Sequence, residues 1–398
     1  MKRYLIILIV VLAGCSEEDI TPTQSNANTV TSFSTFGKWQ QERPMITDSE
    51  GYLYTILRNI GGGVTFSANL DDEFSIIETS LVKINNRGEL IWKVSVPEMT
   101  SQQLAIDEND NIYFQTSESF VSGSHTGMDV WFKVNSMGIS ETIRESRGQT
   151  VSKDIRWLTQ ENTLLSKDGN SFIKKVSANG IIESYDYVTE SRKWSLSTGS
   201  PNDFFVDTDE DGNVYVAYSY ESSNRFIDVT VVKKYNAEGE EVSSFDIPIL
   251  EGHLGAEVNG IKVFQGAFYL AMRGFFEVRD TRLIAIDGFR NEFISEAHIA
   301  KYSTSSGERI WIQKLRTEYK QVDDEFIWDA YLDVLVPSTS ITNLIQDSQG
   351  NMWFNFENYV RQDLGSTIGI SYSFGGFNDF INARNGGGSL TNIVSIQP

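Results

Sequence analysis

One turn, repeated down the chain, limits what this sequence can fold into. It reads Asp48-Ser49-Glu50-Gly51-Tyr52-Leu53-Tyr54 and returns as Asp107-Glu108-Asn109-Asp110-Asn111-Ile112-Tyr113, Asp209-Glu210-Asp211-Gly212-Asn213-Val214-Tyr215 and Asp347-Ser348-Gln349-Gly350-Asn351-Met352-Trp353. Asp, Asn and Gly suit tight turns, and the aromatic, β-branched run behind them reads as a strand. Glu161-Asn162-Thr163-Leu164-Leu165 and Gln265-Gly266-Ala267-Phe268-Tyr269 read as weaker copies. A second turn alternates with the first. It runs from Lys83 to Gly88 and on to Trp92, from Lys133 to Gly138, Lys175 to Gly180, Lys234 to Gly239, and Lys301 to Gly307 and Trp311, with Ile381 to Gly386 as a sixth copy.

Turns of the first kind fall at 51, 110, 162, 212, 266 and 350, so the intervals are 59, 52, 50, 54 and 84. The long fifth interval reads as insertions within one repeat. Each repeat carries four short extended segments, in the second residues 103–106, 112–116, 130–134 and 139–143. No helix-period stretch of any length follows the first fifteen residues. Six four-stranded units of this size resemble a β-propeller, one unit per blade. The Gly-x-x-x-Trp endings resemble the quinoprotein-type repeat, and the Asp-x-x-Gly-Asn-x-Tyr turns resemble repeats of bacterial secreted propellers. The expectation is an all-β, six-bladed propeller over residues 32–398, a seven-bladed ring being the alternative. The N-terminal segment Trp39–Thr47 is expected to complete the last blade, beside residues 390–396, and leave no open edge.

The N-terminus gives an address. Lys2 and Arg3 precede ten apolar residues, too few to span a bilayer, which fit the core of a secretory signal. The run ends Leu12-Ala13-Gly14-Cys15, with the chain's single Cys. This resembles the lipobox of bacterial lipoproteins, which implies a signal peptide over 1–14 and acylation of Cys15. Ser16-Glu17-Glu18-Asp19 resembles the acidic export signal of surface lipoproteins in one group of Gram-negative bacteria, and residues 15–31 read as a polar tether. The implied home is the outer membrane, at the cell surface, with the periplasmic face as the alternative.

Charge removes other classes. With 33 basic and 54 acidic residues the net charge is −21, which argues against a nucleic-acid partner. One Cys allows no intrachain disulfide, and three His with one Cys argue against a zinc centre of clustered Cys and His.

Three places carry candidate chemistry. Asp207, Asp209 and Asp211 alternate before Gly212 as in a calcium loop, but Tyr215 and Tyr218 stand where a closing carboxylate is wanted. Weak calcium binding, or simply a charged version of the repeated turn, is expected, and no other cofactor. His125, His253 and His298 lie in separate segments that loops can bring to one face, or leave on the surface. The fifth repeat holds two insertions with mixed aromatics and charges: Phe275, Phe276 and Phe289-Arg290 in the first, and Tyr319, Asp323, Asp324, Phe326 and Trp328 in the second. Insertions in repeat proteins often mark the binding face. Paired carboxylates and aromatic faces also suit sugars. Most Trp and Tyr recur at strand positions and read as blade core. There is no Gly-x-Ser-x-Gly or His-Glu-x-x-His motif. The sequence reads as a noncatalytic, lipid-anchored module for a glycan or an envelope protein. An outer-membrane assembly scaffold and a polysaccharide-acting enzyme are the alternatives.

Overall fold

The computed structural model describes residues 30–33, 39–61, 75–85, 89–97, 99, 103–116, 129–145, 150–176, 180–199, 204–220, 229–278, 292–315, 337–363, 369–374 and 392–396. After β1 (Val30–Phe33) come five four-stranded antiparallel sheets, each a blade with its strands in chain order. Blade 1 is β2 (Trp39–Thr47), β3 (Leu53–Gly61), β4 (Ser75–Ile84) and β5 (Leu90–Ser95). Blade 2 is β6 (Ala105–Ile106), β7 (Ile112–Thr116), β8 (Asp129–Val134) and β9 (Ser140–Glu145). After helix α1 (Lys153–Leu158), blade 3 is β10 (Thr163–Leu165), β11 (Ser171–Val176), β12 (Ile181–Asp186) and β13 (Arg192–Ser197). Blade 4 is β14 (Phe204–Thr208), β15 (Val214–Tyr220), β16 (Val229–Tyr235) and β17 (Glu241–Ile247). Blade 5 is β18 (Gly255–Phe264), β19 (Ala267–Val278), β20 (Glu292–Ser303) and β21 (Arg309–Leu315).

The last sheet departs from this plan. It holds β22 (Pro337–Gln346), β23 (Met352–Asp363), β24 (Gly369–Phe374) and β25 (Asn392–Ile396), with β1 outside β25. β25 pairs with the first half of β23 and β24 with the second. The expectation of six equivalent blades, or of seven, is therefore corrected to five regular blades and a five-stranded sheet of its own connectivity. The sixth turn is present, but the strand behind it is long enough to seat two short partners in succession.

Apolar side chains fill the spaces between consecutive sheets, the arrangement of a β-propeller. Tyr54, Ile56 and Leu81 of blade 1 meet Ile112 and Phe114 of blade 2. Ile173 and Ile182 meet Val214 and Val216, and Tyr215 and Ala217 meet Phe268 and Leu270. Tyr269 and Ile299 meet Ile341 and Phe354, and Trp353 packs against Met45, Leu53 and Val82 of blade 1. Each such side chain, fully buried, contributes about 1.5–3 kcal/mol of transfer free energy. The reading of Trp and Tyr as core holds for Trp131, Trp353, Tyr54, Tyr215, Tyr269 and Tyr302, all nearly inaccessible.

Between blades 2 and 3 the filler is helix α1, which the sequence did not reveal because six residues are too short to register a helical period. Ile155 packs with Tyr113 and Trp131 of blade 2, while Trp157 stacks on Phe172 of blade 3 with centroids 4.9 Å apart. Ser152 caps its N-terminus, and Arg156 pairs with the buried Glu145, which also accepts from the backbone N–H groups of Thr150 and Val151.

Two expectations about register fail. Trp39–Thr47 does not complete the last sheet. It pairs with β3, Thr47 opposite Leu53, because a hairpin across the Asp48 turn closes a far shorter loop than pairing with the far end of the chain. The N-terminal strand beside β25 is instead Val30–Phe33, so two residues assigned to the tether lie in β1. In blade 3 the frame is displaced. Asn162 only precedes β10, and the first turn is Ser166-Lys167-Asp168-Gly169-Asn170, with Ser166 in the place of Asp. Its hydroxyl accepts from Ser171 N–H and donates to Asp168, so a Ser/Asp pair does what one Asp does elsewhere. The second turn is Asp186 to Ser191, and the stretch from Lys175 to Gly180 spans the end of β11 and its connection to β12.

Candidate functional site

Every blade has two ends. One carries the two hairpin turns, first to second strand and third to fourth. The other carries the second-to-third connections and the links between blades. What the repeated motifs do at the turn end decides which residues remain for function.

The turn Asp is a structural carboxylate. Asp48 accepts from the backbone N–H groups of Glu50 and Tyr52 through Oδ1, and from Tyr54 OH at 2.8 Å and Lys83 Nζ at 2.9 Å through Oδ2. Asp107 and Asp347 repeat this with Tyr113 OH and Trp353 Nε1 as the aromatic donors. Buried acceptors must be bonded, and here one carboxylate ties its own turn to the next strand and, in blades 1 and 4, to the third. The ring hydroxyls of Tyr54 and Tyr113 are pushed well above their ordinary range by burial and by the carboxylate each donates to.

The three aspartates of the candidate calcium loop diverge. Asp209 accepts from Asp211 N–H, Asn213 N–H, Tyr215 OH and Lys234 Nζ. Burial alone would raise its carboxyl, but the bonds from Asn213 and Lys234 outweigh this and hold it low. Asp207 points between blades, accepting from Val263 N–H at 2.7 Å and Lys167 Nζ at 3.0 Å. Asp211 is exposed. The three carboxylates thus have different partners: Asp207 bonds across to the neighbouring blade, Asp209 bonds its own turn and Lys234, and Asp211 stands in solvent. Among the described residues no three His, Cys, Asp or Glu side chains are grouped to hold a metal ion.

The tryptophan that follows the second turn, Trp92 in the Gly-x-x-x-Trp pattern and Trp194 after Glu190, docks on the next blade's turn glycine. Trp92 of blade 1 donates through Nε1 to Ser136 C=O of blade 2, and its ring lies against Gly138. Trp194 of blade 3 donates to Ala237 C=O of blade 4, with its ring against Gly239. A Cβ at Gly239 would come within 2.9 Å of the indole, and its φ of +83° disfavours other residues as well.

At the opposite end, blade 5, the last sheet and blade 1 differ from blades 2–4. β3, β19 and β23 have 9, 12 and 12 residues, against 5, 6 and 7 for β7, β11 and β15. All start one or two residues after their turn, so the extra length projects from the far end. At about 3.3 Å per residue, the five additional residues of β19 over β15 raise blade 5 by roughly 16 Å. The two insertions also belong there: residues 279–291 leave from Val278 and rejoin at Glu292, and residues 316–336 leave from Leu315 and rejoin at Pro337.

Below this raised part lies a buried polar cluster. Glu296 and His298 alternate on β20 and therefore share a face, toward blade 4. His253, from the link into blade 5, packs over Gly274, where there is no room for a Cβ. Its Nε2 is 3.9 Å from Glu296 Oε2, and its ring centroid is 6.4 Å from that of His298. Lys314 Nζ approaches Glu296 at 3.8 Å. Burial pushes His298 down to about 3, helped by His253, and also lowers His253, against the attraction of Glu296. The pair is thus neutral imidazole near neutral pH. On the other face, Arg273 bonds Glu257 at 2.7 Å and lies over the Phe275 ring at 4.9 Å.

The loop-borne histidines of the sequence reading are thus partly brought together, but inside the protein. The available signal was the Glu296-Ala297-His298 alternation on a strand. Phe275 is half-buried on β19, and Phe276 pairs through its backbone with Ile294. Tyr319, Asp323, Asp324, Trp328, His125 and Cys15 lie outside the described residues.

Comparison with known proteins adds little to this geometry. A family model described as the two component regulator propeller matches residues 336–358, the stretch that holds the Asp347 turn. No functionally curated protein matches the sequence. Solved structures similar to this chain include the WD40 β-propeller domain of Doa1, 10% identical, covering 94% of this chain and 98% of that one with a TM-score of 0.41. Another is hydrazine synthase of Kuenenia stuttgartiensis, 11% identical over 80% of this chain and 76% of that one, TM-score 0.38. A third is a 6-phosphogluconolactonase homologue of Bacteroides fragilis, described as putative in its own name, 11% identical over 88% and 95%, TM-score 0.35.

Proposed function

We propose that this protein is a lipid-anchored β-propeller of the cell envelope that binds a glycan or an envelope protein, rather than transforming a substrate, at the far end of blade 5. One observation carries the reading: both insertions leave the sheets at that end, beside the strands that outrun those of blades 2–4. The turn motifs support it indirectly, since their carboxylates are committed to holding the fold. Ring closure between blade 1 and the last sheet belongs to the same proposal. Support comes from β1 pairing with β25, and from Ser348 Oγ donating to Ser49 C=O and Gln349 Nε2 to Glu50 C=O. Acylation of Cys15 and the acidic residues behind it would hold the propeller at the outer surface.

The test shortens residues 279–291 and 316–336 to the length of tight connections. The shortened protein is expected to melt as the parent does, yet to lose binding to purified envelope polysaccharide or to solubilised envelope proteins. Retained full-strength binding overturns the site. A Cys15→Ser variant is expected in the soluble fraction, and its retention through carbonate washing overturns the anchor.

A further inference from the structure

The turn end has a surface of its own. Seven of the eight large apolar side chains that stand exposed among the described residues lie in or within four residues of the third-to-fourth-strand turns. Met137 and Ile139 of blade 2 are 72% and 62% exposed, Val188 of blade 3 is 79% exposed, and Val242 and Ile310 of blades 4 and 5 are 53% and 56% exposed. Ile91, Val242 and Ile310 occupy the same place, three residues after the turn glycine. At the border of blades 1 and 2 the two turns meet: Trp92 reaches across to Ser136 C=O and Gly138, beside the exposed Met137 and Ile139. Scattered exposed apolar residues are ordinary, but their confinement to one end is not.

The charge at this end is separated by depth. Several lysines near it are bound inward: Lys83 on Asp48, Lys167 and Lys262 on Asp207, Lys234 on Asp209. The acids of the turns face outward, among them Glu89, Glu108, Glu190, Glu210, Glu238 and Glu240, all exposed. Arg192, Lys193 and Arg309 are exposed at the same end, fewer than the exposed acids. Apolar side chains framed by an excess of carboxylates disfavour anionic lipid and polyanions, and a second copy of the same face would set acid against acid.

We propose that the turn end is a docking face for a protein partner that presents basic and apolar side chains together. The face lies opposite the raised end of blade 5, so the inference stands apart from the binding site proposed there.

The experiment uses the full chain and, as probe, a fluorescein-labelled amphipathic peptide of Lys and Leu, followed by anisotropy. Met137→Ser with Ile139→Ser, and separately Glu238→Lys with Glu240→Lys, are each expected to weaken binding at least tenfold with melting unchanged. Glu251→Lys with Leu254→Ser, at the other end, is expected to leave it unchanged. A photo-crosslinker at Val188 is expected to trap a partner in cells, and the Glu238→Lys, Glu240→Lys pair to abolish the product. The proposal is overturned if the turn-end variants bind as the parent does or if the far-end variant loses as much. It is equally overturned if phosphatidylglycerol vesicles bind this face, or if the turn-end variants abolish a dimer seen by sedimentation.

Discussion

His298 should make this propeller lose stability on mild acidification, and the size of the loss follows from its surroundings. The side chain is 1% exposed on β20, with His253, Lys314 and Arg309 as the charged or chargeable groups that bear on it and a hydrogen bond to the Glu296 backbone. Its proton affinity is pushed from the ordinary 6.5 down to about 3. A base depressed in the folded state binds its proton first in the unfolded chain. Its contribution is therefore fully present above pH 6.5 and declines as pH falls toward 3, by about 1.4 kcal/mol per unit. Between pH 7 and 5 the expected loss from this group is about 2 kcal/mol, a sizeable share of a typical domain's 5–15 kcal/mol. His253 is shifted in the same direction and adds to the slope. The assay is urea unfolding at half-unit steps from pH 7 to 5, for the parent and for His298→Leu. This window lies above the range in which the low-lying carboxylates of Asp107, Asp168 and Asp209 take up protons. The variant is expected to show a clearly shallower slope, whatever its absolute stability. Equal slopes would mean that His298 titrates normally in the folded protein, and would refute the reasoning.

Asp209→Ala should cost about 2–4 kcal/mol in urea unfolding, because it strips partners from Lys234 and Tyr215 OH and frees the turn N–H groups. Gly239→Ala should cost more than Gly169→Ala, since both have positive φ but only the first would drive a Cβ against Trp194, while nothing lies within 4 Å of the second. Losses that are equal in the two alanine variants would show that the indole does not dock tightly. A chelator should barely move the melting temperature, as the Asp209 oxygens are already taken by protein donors. A large drop would show that the Asp207–Asp211 turn holds an ion.

The all-β class and the turn repeat could be read in the sequence because both are local. An Asp that bonds its own backbone two and four residues on needs only the seven residues of the motif, and so Asp48, Asp107, Asp209 and Asp347 were legible. Where the same job passes to a Ser and a neighbouring Asp, at Ser166 and Asp168, the pattern disappears though the turn persists, and the frame of blade 3 was lost with it. Pairing partners needed three dimensions: Trp39–Thr47 reads as a strand in isolation, but loop closure chooses β3 beside it. The candidate site divides in the same way. The insertions of the fifth repeat were visible as excess length, while their departure from one common end follows only from strand direction. His253 and His298, 45 residues apart, meet because Gly274 leaves a hollow on the blade that an imidazole fills. Sequence by itself set the strands and their turns, since those energies are paid within a few residues. The tertiary structure decided which faces meet, which charges are spent inward and which are left to solvent, because these depend on side chains that only the packed blades bring together.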